Sequence, residues 1–136
     1  MNPRQFLHLA AEMAEGPGPA YWRSAISRAY YAVFNTTEEF LARMGFLSPK
    51  KDYHIILQRR LLASKDKELE SMGSDLGDFH VKRIRADYKM QDKGSENQNN
   101  ARAAVREAER MISILDSCPI HGERWKKIKQ AIQKME

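Results

Sequence analysis

Two short segments of this chain gather residue types that can handle phosphate and protons. In Ser24-Ala-Ile-Ser-Arg-Ala-Tyr-Tyr-Ala-Val-Phe-Asn35, the residues Ser24, Ser27, Arg28, Tyr31 and Asn35 recur at helical spacing, on a stripe apart from the apolar residues. Small hydroxyls, one guanidinium, one phenol and one amide suit hydrogen bonding to a ligand better than the Lys/Glu mixture that solvates a helix. In Arg83-Ile-Arg-Ala-Asp-Tyr88, Arg83 and Asp87 stand four residues apart, as do Arg85 and Lys89, so each pair shares a helix face. The plain alternative for Arg83 and Asp87 is a surface salt bridge of a few tenths of a kcal/mol. Arg stabilises charge on a phosphate but is a poor acid or base. Protons would therefore have to move on Tyr88, if Arg83, Arg85 and Lys89 lowered its pKa, or on His54. No Gly-rich phosphate loop, Cys–His cluster or Ser–His–Asp pattern is present.

The elements that must position these groups read as helices throughout. Asn2-Pro3 starts the first, with Asn as cap and Pro at the first helical position, and Gly16-Pro-Gly-Pro19 stops it. The long motif helix is predicted over residues 20–44. It presents Trp22, Ala25, Ile26, Ala29, Val33, Phe34, Phe40, Leu41 and Met44 to a core, and Gly45 caps its end. A third helix, over residues 53–65, is expected to turn Ile55, Ile56, Leu57, Leu61 and Leu62 inward. Residues 68–88 read as a helix broken by Gly73 and Gly77, with Leu69, Met72, Leu76, Phe79, Val81 and Ile84 on its apolar side. After the polar loop Asp92–Asn100, the stripe Ala101, Ala104, Val105, Ala108, Met111, Ile112 and Leu115 marks the clearest helix. A basic amphipathic extension over residues 119–136 carries Trp125, Ile128, Ile132 and Met135 on one side. It reads as packing on its own bundle or a second subunit, with a membrane surface or another partner as the lesser reading. The fold class is all-α, an up-and-down bundle of four to five helices plus a short C-terminal helix, in one domain spanning 1–136.

Composition narrows the function classes. At 136 residues the chain can bury a core without disulfides or metal. One cysteine, Cys118, excludes an internal disulfide, and with four scattered histidines it argues against a zinc site. No long apolar run and no signal-peptide layout are found, which predicts a cytoplasmic protein without a membrane span. The net charge of +5 is a moderate bias compatible with a polyanion. The basic residues cluster at Lys50, Lys51, Arg59, Arg60, Lys65 and Lys67 and again at Lys82, Arg83, Arg85, Lys89 and Lys93, so a groove between the two regions would suit a phosphate backbone.

The Ser24–Phe34 helix, the Arg83, Ala86, Asp87 and Tyr88 segment, and His54 after the first long helix together resemble the HEPN family of small helical-bundle proteins. The resemblance implies a homodimer with motif helices of both subunits at one cleft. It also implies a metal-independent endoribonuclease of toxin–antitoxin or defence systems, without cofactor, often paired with a small nucleotidyltransferase. Arg28, Arg83, Asp87 and Tyr88 would then work at the cleft with His54 as helper, and Tyr88 is the residue such a partner would nucleotidylate. One departure stands out. Active members usually carry a His shortly after the motif Arg, whereas Tyr88, Lys89 and Met90 fill that window and His80 precedes Arg83. A non-catalytic module that binds RNA, a nucleotide or the nucleotidyltransferase is therefore the alternative. On a purely structural reading the Ser-Arg-Tyr stripe is a polar dimer contact, with Tyr30 and Tyr31 as packing residues.

Overall fold

A computed structural model describes residues 1–136 and contains helices and no strand. The first helix, α1 (Arg4–Ala14), begins where Asn2 Oδ1 accepts a hydrogen bond from the Arg4 N–H at 2.9 Å. The central helix, α2 (Pro19–Arg43), starts on a proline and ends in a Schellman turn. There Gly45 N–H donates to Ala42 O and Phe46 N–H to Leu41 O, with Gly45 at φ +95°, a conformation open to glycine at little cost. The predicted apolar stripe of α2 is buried, apart from a half-buried Trp22, because α1, α4 and α5 all pack on this helix.

Helices α3 (Tyr53–Ala63) and α4 (Lys67–Tyr88) run antiparallel and pack closely along their lengths. Contrary to expectation, α4 is unbroken across Gly73 and Gly77. A Cβ at Gly73 would lie 3.0 Å from Leu61 Cβ, and one at Gly77 would run into the Gln58 side chain. These glycines admit α3 to close range, and the tertiary packing outweighs their helix-breaking tendency. The inward set on α3 also needs correction: Leu57 and Leu61 are buried, Ile56 is half-buried, and Ile55 and Leu62 are exposed at 50% and 44%. Packed chiefly on α4, the helix buries a narrow strip, and its apolar run is wider than that strip. Val81 on α4 is likewise exposed.

The chain then forms a single 3-10 turn (Lys93–Glu96) and α5 (Gln98–Ser117), capped where Asn97 Oδ1 accepts from Asn100 N–H. All seven residues of the predicted α5 stripe are buried. The last helix, α6 (Gly122–Met135), buries Ile128 and Ile132 and sets Trp125 edge-on to Phe40. Arg124 pairs with Asp66, which caps α4 through Leu69 N–H, and Glu136 pairs with Arg60 of α3. The basic amphipathic helix therefore packs on its own bundle. One core cluster of 30 buried residues draws on all six helices. No helix is long and apolar enough to cross a membrane.

Candidate functional site

Where α2 and α4 cross, residues at helical spacing on each meet in one polar cluster. Ser27, Tyr30 and Tyr31 come from α2, and His80, Arg83 and Asp87 from α4. The close approach of α3 adds His54. Arg83 is 7% exposed, with its guanidinium carbon 5.6 Å from the centre of the Tyr30 ring and 5.3 Å from that of Tyr31. Its Nη1 lies 3.6 Å from Asp87 Oδ2, which also accepts a hydrogen bond from Ser27 Oγ at 3.0 Å. The Nε of Arg83 is buried and has no partner. Beside it the His54 and His80 rings stack with centres 4.3 Å apart. Tyr30 Oη and His54 Nδ1 are hydrogen-bonded at 2.5 Å, while His80 Nδ1 is buried and unpartnered.

Burial, with His80 and Arg83 close by, pushes the His54 imidazole down to about 4. Burial and Arg83 lower His80 in the same way, and burial raises the Tyr30 phenol. Near neutral pH the cluster thus holds two uncharged imidazoles and an intact Tyr30 phenol beside the Arg83–Asp87 pair. It can bind an anion through Arg83 and still offer an imidazole lone pair as a proton acceptor. No three His, Cys, Asp or Glu side chains converge as metal ligands would.

Of the residues singled out in the sequence, the structure brings together Ser27, Tyr31, His54, Arg83 and Asp87. Ser24 lies one turn before Ser27, half-buried. Arg28 leans over the Phe6 ring of α1, 5.7 Å from its centre, and Asn35 donates to the backbone oxygen of Tyr31. Tyr88 is 68% exposed at the end of α4. Arg85 points away from the cluster into a groove of about 440 Å³ between α4 and α5, shared with Lys82, Asp75, Asp78, Glu107 and Asn100.

Two members were missed in the sequence. Tyr30 is fully buried, as its place on the apolar side suggests, yet its hydroxyl reaches His54. His80 precedes Arg83 and so lies outside the motif window, yet His80, Arg83 and Asp87 fall at i, i+3 and i+7, one face of α4. A second buried guanidinium was missed as well. Arg23, 8% exposed, donates to the backbone oxygens of Arg85, Ala86, Lys89, Met90 and Asp92 and to the Glu96 carboxylate. It ties off the end of α4 and the turn that follows. No family model, curated protein or solved structure matches the chain.

Proposed function

We propose that this protein acts on RNA as a metal-independent endoribonuclease of the HEPN type, with its polar cluster completed at a homodimer face. The observation that carries the reading is the stacked His54–His80 pair beside a buried Arg83 whose Nε has no partner. A buried guanidinium with a spare donor is poised for an anion, and the adjacent imidazoles supply the proton chemistry that the window after Arg83 lacks. Transphosphorylation needs little else. A base takes the 2′-hydroxyl proton, the 2′-oxygen attacks phosphorus, and Arg83 stabilises the charge that builds on the phosphoryl oxygens. The dimer reading is supported by exposed Val81 and Tyr88 on α4 and Tyr53 and Ile55 on α3, apolar surface carried by the same helices that supply the cluster.

The test is cleavage of mixed RNA with chelator present, beside an Arg83→Ala variant checked for folding. Cleavage that leaves 2′,3′-cyclic phosphate ends and is lost in the variant is the expected result.

A second reading, a module that binds RNA or a nucleotide without cleaving it, is favoured by one feature. Both imidazoles are held uncharged, so the site lacks a ready proton donor while its grip on an anion is intact. Arg83-dependent RNA binding with no cleavage would decide for it. Under either reading a nucleotidyltransferase partner would find the Tyr88 hydroxyl accessible, and a mass increase on Tyr88 upon co-expression is the observation that pairing requires.

A further inference from the structure

We infer that Tyr30 fixes His54 in its Nε2–H tautomer, so that His54 serves the site as a hydrogen-bond donor and His80 is the imidazole left to accept a proton. The argument starts from the phenol. Tyr30 is fully buried, and its hydroxyl meets one partner, His54 Nδ1. Burial keeps the phenol protonated, so its O–H needs an acceptor, and Nδ1 is the acceptor within reach. If Nδ1 carried the proton instead, it would donate to the phenol oxygen and strand a buried O–H without any acceptor. The tautomer with Nδ1 bare avoids this. A neutral imidazole carries one ring proton, and with Nδ1 taken as acceptor that proton sits on Nε2.

His80 is in a different position. Its Nδ1 is buried without a partner, and nothing in the structure holds that ring to one tautomer. Its stacking on His54 keeps it at the site without committing its lone pair. Burial, and after it Arg83, disfavours a proton on His80 in the free protein, and a phosphodiester anion seated on Arg83 would offset the second of these.

The tautomer rests on the buried Tyr30–His54 hydrogen bond, whereas the division of labour rests on the RNA-cleavage reading above. In that reaction the 2′-hydroxyl proton passes to His80 as the bond from the 2′-oxygen to phosphorus forms. The bond to the 5′-oxygen breaks, that oxygen takes a proton from water, and His80 returns its proton to solvent. His54 donates a hydrogen bond to the phosphoryl group and neither gains nor loses a proton.

Long-range proton–nitrogen correlation spectra of the full chain labelled with ¹⁵N test the tautomer directly. At neutral pH, His54 Nδ1 should show the shift of a bare nitrogen and Nε2 that of a protonated one. Tyr30→Phe, which keeps the ring, should move Nδ1 toward the shift of an unbonded nitrogen or release a mixture of tautomers. A protonated Nδ1 in the wild-type protein overturns the inference.

Cleavage kinetics test the division of labour. His54→Gln keeps a side-chain N–H donor and should retain activity within about tenfold, whereas His80→Gln should lose at least about a hundredfold. Equal losses in the two variants would overturn that division. No cleavage by the wild type would sink the cleavage reading and the division together, with the tautomer still decided by the spectrum.

Discussion

Arg23 of α2 and Arg83 of α4 both bury their guanidinium against the C-terminal half of α4, but their surroundings assign them opposite work. Arg23 has spent its donors on five backbone oxygens and the Glu96 carboxylate. Arg83 is held by two aromatic faces and one long contact to Asp87, and its Nε has no partner. A saturated guanidinium finishes a fold, because each of its bonds replaces one lost from water at a helix end. An unsaturated one in an equally dry place is kept at a cost in desolvation that the fold itself does not recover. Donor accounting therefore separates scaffold from site where burial alone, 8% against 7% exposed, does not.

The contrast breaks most directly by mutation. Arg23→Ala should cost about 3–5 kcal/mol in denaturant unfolding, since five carbonyls and a carboxylate lose their partner. Arg83→Met should change stability by no more than about 1–2 kcal/mol while abolishing RNA binding or cleavage. If the two variants proved equally unstable, the distinction drawn from their donors would be wrong.

Titration should sharpen the contrast next. His54 and His80 titrate in the fold below their ordinary value, so the unfolded chain binds more protons once pH falls below about 6.5. Their contribution is complete above that pH and is lost progressively as pH falls through their depressed values, about 4 for His54. Glu96, lowered by its hydrogen bond to Arg23, contributes above its unfolded pKa and loses that contribution only as pH falls through its depressed value. Thermal melts across this range should show the His54→Gln, His80→Gln double variant flattening the upper window and leaving the lower one.

The smallest effects fall on the two glycines of α4. Gly73→Ala crowds the buried Leu61 Cβ and should destabilise by about 1 kcal/mol, disturbing how His54 sits over His80. Gly77→Ala meets the mobile end of Gln58, so the better helix former should be neutral or stabilising by up to about 1 kcal/mol. Unfolding curves and His54 chemical shifts would report both variants, and the turn held by Arg23 should respond to neither.

Periodicity carried much of the fold. The α2 and α5 stripes and the Gly45 cap follow from local spacing and backbone chemistry, and the structure agrees. Spacing failed where a partner helix decided the outcome. Gly73 and Gly77 look like breakers until α3 is laid against them, and Ile55 and Leu62 look buried until that contact proves narrow. The candidate site was half legible for the same reason. Arg83, Asp87 and Ser27 could be picked out from helix faces, whereas His80 needed His54, brought from another helix, before it meant anything. Arg23 gave no signal, because an Arg between Trp22 and Ser24 does not announce the carbonyls it will meet more than sixty residues later.

His54 reaches the cluster on α3, a helix that meets α2 chiefly through His54 itself, against Tyr30 and Phe34, and packs on α4 and α6. The far grip includes the Arg60–Glu136 pair, and Arg124 of the last helix holds the Asp66 cap where α4 begins. Hydrogen exchange in α3 should therefore follow the docking of α6, and removing α6 should speed exchange there more than in α2. One imidazole of the pair is thus carried on a helix whose other end is anchored by the last helix of the chain, so loosening that anchor is expected to shorten the time the two rings stay stacked.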